Sequence, residues 1–176
     1  MKILTFFFVF LFCLFSFNLS AEIFYVDMDK IINQTNVGKY INKEFENEKK
    51  KNNTKNIERK KLLKKREENL IAQKNILEAN EFNSRLNLFK KDVSNFNQLS
   101  KKSNQDLQNN LIKNKTNFLK LIEPILLEYV AANNITYLLQ KKYIIVGHND
   151  LNKTTDIIKI VDKKIDILNF NDSISK

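Results

Sequence analysis

Glycine, proline, cysteine and histidine are nearly missing: the 176 residues hold 2, 1, 1 and 1 of them respectively. Gly38 and Gly147 stand far apart, so no glycine-rich loop can cradle a phosphate and no dinucleotide fingerprint exists. One imidazole and one thiol cannot build a His/Cys metal cluster, and any Ser-His-Asp or Cys-His site would have to use His148. An enzyme is therefore not expected, and neither is a cofactor or a resident metal. Scarce Gly and Pro also argue against a sandwich or barrel of many short strands, because tight turns recruit both. Long helices need neither.

What is present begins with an apolar leader. Met1-Lys2 supplies a positive end, Ile3 to Phe17 an apolar run, and Asn18-Leu19-Ser20-Ala21 a polar stretch ending in small residues. Together they read as a secretory signal over residues 1–21, cleaved after Ala21, with an uncleaved anchor as the alternative. The run is short for a membrane span and no stop-transfer pattern follows. Phe12 before Cys13 argues against a lipoprotein, and residues 22–176 contain no cysteine.

Charge is unevenly spread. Residues 22–38 carry 1 basic and 3 acidic groups, residues 39–120 carry 21 and 10, and residues 121–176 carry 7 of each. The excess positive charge lies entirely in the middle segment.

The chain pattern matches this division. Ile23, Phe24, Tyr25 and Val26 have strand character, and a helix is expected soon after Asp27, pausing near residues 33–38 and resuming at Lys39. Asp27 and Asp29 are expected to cap that helix rather than form an acid/base pair. From Lys39 onward the apolar positions are sparse: Ile41 and Phe45, then Leu63, Leu70 and Leu77 at seven-residue spacing. A second register runs through Phe82, Leu86, Phe89, Val93 and Phe96, passes Ser100 and Ser103, and resumes at Leu107, Leu111, Phe118 and Ile125. Each stripe covers one narrow face, as a coiled-coil helix does, and neither helix is stable alone. An antiparallel hairpin with its tip near residues 78–84 pairs the two seams, and the polar seam positions Ser100, Ser103 and Asn114 are expected to make it pliable.

Beyond the hairpin, Pro124 interrupts a helical apolar run and predicts a kink where arm passes into body. Asn133-Asn134 ends the helix. Residues 136–140 and 143–147 read as two strands joined by Lys141-Lys142, and Thr154 or Thr155 with Asp156 as the N-cap of a closing helix. The expected fold class is α+β. A long antiparallel coiled-coil hairpin (residues 39–120) projects from a small β-containing body (residues 22–38 and 121–176).

These residues resemble the Skp/OmpH family of periplasmic chaperones. The resemblance begins with Tyr25-Val26-Asp27-Met28-Asp29-Lys30-Ile31-Ile32-Asn33 and continues through Gly38-Lys39, the Lys/Glu-rich hairpin and Glu123-Pro124-Ile125-Leu126. It closes with Tyr137-Leu138-Leu139 and residues 152–158, and so covers essentially the whole chain after the expected signal. Gln140 and Asn152-Lys153 depart from the family pattern. The resemblance implies a homotrimer whose three arms enclose a cavity, acting in the periplasm as an ATP-independent holdase for unfolded outer-membrane proteins.

On this reading Leu62, Ile71, Ile76, Leu88 and Ile112, apolar but off the main seam, are candidate client contacts, with packing between helices as the alternative. Lys60, Lys61, Lys64, Lys65, Arg66, Lys90 and Lys91 form the candidate basic surface, suited to acidic clients and to anionic lipid or lipopolysaccharide. Ile23, Tyr25, Val26, Ile125, Tyr137, Leu139, Ile144 and Val146 are the candidate trimerisation residues. A nucleic-acid role fits poorly, because base-stacking platforms need clustered aromatics and the arm has only scattered Phe. The rival reading is a structural spacer or adaptor that touches an anionic membrane surface.

Overall fold

A computed structural model describes residues 22–174 of the chain; the expected signal segment lies outside them. Strand β1 (Ile23–Val26) leads into helix α1 (Met28–Gln34), and a single-residue joint separates α1 from the long helix α2 (Asn36–Gln73). Helix α3 (Ala79–Ala132) returns to the body, followed by strand β2 (Tyr137–Gln140), helix α4 (Thr154–Lys164) and helix α5 (Ile167–Ile174). The result is a long helical hairpin on a small β-containing body.

The strands are parallel, with Ile23 opposite Tyr137 and Val26 opposite Gln140. A parallel pair needs a crossover, and here the crossover is the entire hairpin. One consequence is that both arm helices are rooted beside the same two-stranded sheet.

The joint between α1 and α2 is built on Thr35, which is fully buried. Its hydroxyl donates to the Ile31 carbonyl at 2.9 Å and accepts from the Gly38 amide at 3.3 Å, so one side chain closes α1 and caps α2. The turn is tight enough that a Cβ at Gly38 would lie 1.8 Å from the Ile32 carbonyl oxygen. Asp27 caps α1 as expected, its carboxylate accepting from the Lys30 amide at 3.0 Å.

The core gathers Val26, Ile31, Val37, Ile41, Phe118, Ile122, Ile125, Ile157, Val161, Ile165 and Phe170. It lies where α1, α4 and α5 meet the root of the hairpin. Ile41 and Phe118, at the inner ends of the two arm stripes, are therefore core residues as well as seam residues.

Four local expectations are corrected. Helix α2 resumes at Asn36 rather than at Lys39, after a pause of one residue, Thr35, whose hydroxyl caps it. The hairpin turns at residues 74–78, a few residues before the expected tip, because Ile76 and Leu77 both fold back onto the Gln73 carbonyl and Phe82 already sits inside α3. Pro124, where a kink is expected, falls inside the continuous span of helix α3. Pro124 and Lys120, whose carbonyl loses its intrahelical donor there, are both exposed, so water can serve that group. Residues 144–147 form no strand: Lys141–Tyr143 is a 3-10 turn, and Ile145 and Val146 are 100% and 89% exposed. A strand exists through its ladder partner, and the chain offers none here, since the second edge of β1 makes only a single bridge, Tyr25 with Asn152. Finally, the Thr154 hydroxyl does not cap its own helix. It accepts from the Asp27 amide at 2.8 Å and donates to Asn152 Oδ1 at 2.6 Å, while Asn152 Oδ1 takes the Thr154 amide at 3.1 Å. That network stitches the start of α1 to the start of α4.

Candidate interaction surfaces

Two ties fix how the arm helices face each other. Arg66 on α2 meets Asp92 on α3 at 2.5 Å, and Arg85 on α3 donates to Gln73 on α2 at 2.6 Å. Both fit one antiparallel register. Along it the half-buried positions of α3 include Phe82, Leu86, Phe89, Val93, Phe96, Ser100, Ser103, Leu107, Leu111 and Asn114, the stripe read from sequence, with Asp92, Lys115 and Asn117 beside them. On α2 they include Phe45, Leu63 and Leu70, together with Asn52 and Asn56, which sequence reading missed; Leu77 is half-buried in the turn beyond its end. The signal was available: Asn52 is seven residues after Phe45, and Asn56 seven before Leu63. The shared register sets Asn52 and Asn56 level with residues 100–107, so the middle of the seam is polar from both sides.

Off the seam, Leu62, Ile71, Ile76, Leu88 and Ile112 are all exposed, between 58% and 81%. Ile57 and Leu99 belong with them and were not singled out. Leu62 lies on one flank of the α2 seam and Ile57 and Ile71 on the other, while Ile76 stands in the turn beyond α2. The apolar side chains thus form two thin lines rather than one face.

Charge lies beside these lines. Lys60, Lys61, Lys64, Lys65, Arg66, Lys90 and Lys91 are exposed. Arg66 is engaged by Asp92, and Lys64 approaches Glu68 at 4.0 Å. Among the described residues Lys60, Lys61, Lys65, Lys90 and Lys91 form no ion pair. Nearer the root, a Lys51 hydrogen bond and its charge hold the Glu48 carboxyl below its usual range and raise the lysine. Both groups are fully exposed, and such surface pairs stabilise little. A shallow groove of about 470 Å³ near the tip brings the two classes together, lined by Arg66, Leu70, Arg85, Leu88, Phe89 and Asp92.

The body residues divide. Tyr25, Val26 and Ile125 are buried within the chain's own body, whereas Ile23, Tyr137, Leu139 and Val146 are exposed and Ile144 is half-buried. Beside β2 a mostly apolar groove of about 390 Å³ is lined by Met28, Leu119, Leu126, Leu127, Val130 and Leu138, with the Glu123 carboxylate at its wall. Tyr129 of α3 packs against the body core, and burial, then the Asp156 charge, pushes its phenol pKa upward.

His148 lies in the exposed loop, 3.2 Å from Asp150, and its carbonyl accepts from the Tyr25 hydroxyl at 3.4 Å. Among the described residues no group of three or more His, Cys, Asp or Glu could hold a metal ion, and no helix is long and apolar enough to cross a membrane.

Comparison with known proteins agrees with this geometry. No curated protein matches the chain. A crystal structure from Caulobacter crescentus CB15, of a protein provisionally described as an OmpH-like outer membrane chaperone, is similar in fold. Its TM-score is 0.69 at 12% identity, covering 83% of this chain and 86% of that one. The profile of the family described as "Outer membrane protein (OmpH-like)" matches residues 22–161, from β1 through the hairpin to α4. By that match the chain belongs to the OmpH-like family.

Proposed function

We propose that the protein is a periplasmic holdase. It binds unfolded outer-membrane proteins between the arms of a homotrimer and keeps them from aggregating in transit, without nucleotide. The observation that carries the reading is the arm itself, a long scaffold whose exposed aliphatic side chains stand near Lys60, Lys61, Lys65, Lys90 and Lys91, which form no ion pair among the described residues. An outer-membrane strand in transit alternates apolar and polar side chains and aggregates through its open edges. Thinly spaced aliphatics and mobile cations offer such a segment many weak contacts and no single deep site, which suits clients of varied sequence. The exposed edge of β2 and the apolar groove beside it support assembly through the body, where a second and third copy would cover Leu127 and Leu139. Location in the periplasm rests on the leader over residues 1–21 and on the family.

The reading is tested by diluting a urea-unfolded porin into buffer with excess protein and following light scattering. Suppressed scattering is expected, whereas undiminished aggregation would overturn the proposal. Undiminished aggregation together with binding to anionic vesicles would favour the spacer or adaptor.

A further inference from the structure

The family match ends at residue 161, yet the chain goes on to build a further helix. Ile165, buried and extended, turns the backbone out of α4. Asp166 then starts α5, its carboxylate accepting from the Asn169 amide at 2.7 Å and its carbonyl from the Phe170 amide at 3.1 Å. Phe170 is fully buried and meets Phe118 of α3 edge-on, ring centroids 6.0 Å apart at 80°. On the other side Asn171 donates to the Tyr40 hydroxyl of α2 at 3.5 Å. One short helix thus touches both arm helices at the level where they leave the body, and it is tied to the body through α4.

We propose that α5 is a clasp, added beyond the family's matched region, that sets the stiffness of the arm root. The arm joins the body at its root, through packing around Ile41, Phe118 and Ile122 and through the hydrogen bonds of Asn42 and Lys115 to Asn33 of α1. Helices α2 and α3 cannot separate or roll at that level without withdrawing Phe118 from Phe170 and Tyr40 from Asn171. A short terminal segment anchored by Phe170 and by polar contacts that include Asn171 with Tyr40, with Leu168 left exposed, can release locally while the rest of the body stays folded. This role is independent of what the arms bind.

Hydrogen exchange by mass spectrometry on the whole protein tests it. In Phe170→Ala the root segments 36–45 and 114–122 are expected to exchange about tenfold faster, while the outer arm (60–90) and the sheet strands stay within about twofold. Asp166→Ala, which weakens the start of α5 but keeps the aromatic anchor, is expected to give the same pattern at about threefold. If Phe170→Ala does not fold, Asp166→Ala alone decides. Unchanged root exchange would overturn the clasp. So would equal acceleration in root and sheet, because Phe170 would then be an ordinary core residue.

Discussion

At the scale of single residues, the joint at Thr35 and Gly38 decides whether the hairpin starts in the right direction. An added methyl at position 38 would collide with backbone, which cannot swing aside as a side chain can. Gly38→Ala is therefore expected to destabilise by about 2–3 kcal/mol despite the ~1 kcal/mol by which alanine favours a helix. Chemical denaturation followed by circular dichroism checks this, and an unchanged or raised midpoint would contradict it. Gly38 stood out in the sequence as one of two glycines, but its reason is the Ile32 carbonyl, which no local pattern names. Thr35 was not singled out: the sequence reading has the helix resume at Lys39, although Thr35 is a good N-cap residue and α2 begins at Asn36. Thr154 looked like the same signal and is not, because its hydroxyl is claimed by Asp27, a partner 127 positions away in sequence.

At the scale of elements, the hairpin was legible because its seams repeat every three, four or seven residues over a stretch without glycine or proline. The second body strand was not, since a β-branched run such as Tyr143 to Val146 looks the same whether or not a neighbour pairs with it. The arm's weak point is the polar middle of its seam. Asn56→Leu together with Ser103→Leu is expected to stabilise the arm by about 1–2 kcal/mol, through apolar area newly withdrawn from water. Slower amide exchange in residues 50–60 and 98–108 would bear this out, while unchanged exchange would show that these positions do not face each other. The same span is crowded with lysine, so raising the salt concentration is expected to slow its exchange as like charges are screened.

At the scale of the whole molecule, the chain leaves apolar surface where a body of this size needs it covered: the groove around Leu127, the open edge of β2, and the run Ile144 to Val146. Interfaces that hold obligate oligomers are built from such surface. Multi-angle light scattering is expected to give three chain masses for the wild type and a smaller species for Leu127→Asp, with helicity retained in both. A wild-type monomer at micromolar concentration would contradict the assembly. Family and architecture were legible from the order of strand, hairpin, proline and closing helix. The division of the arm's apolar residues into two flanking lines was not, because it depends on which face each helix gives to the other.

The central claim is that the arm surface holds unfolded clients, and one assay addresses it directly. A urea-unfolded porin is diluted into wild-type protein and into a variant with Leu62, Ile71, Ile76, Leu88 and Ile112 all replaced by Ser, and light scattering is followed at matched concentrations. These side chains are exposed, so the variant should keep its fold, and circular dichroism verifies that. The expected result is strong suppression by the wild type and a loss of about fivefold or more in suppressing power in the variant, or about 1 kcal/mol in client binding. Equal suppression by the two proteins would contradict the claim.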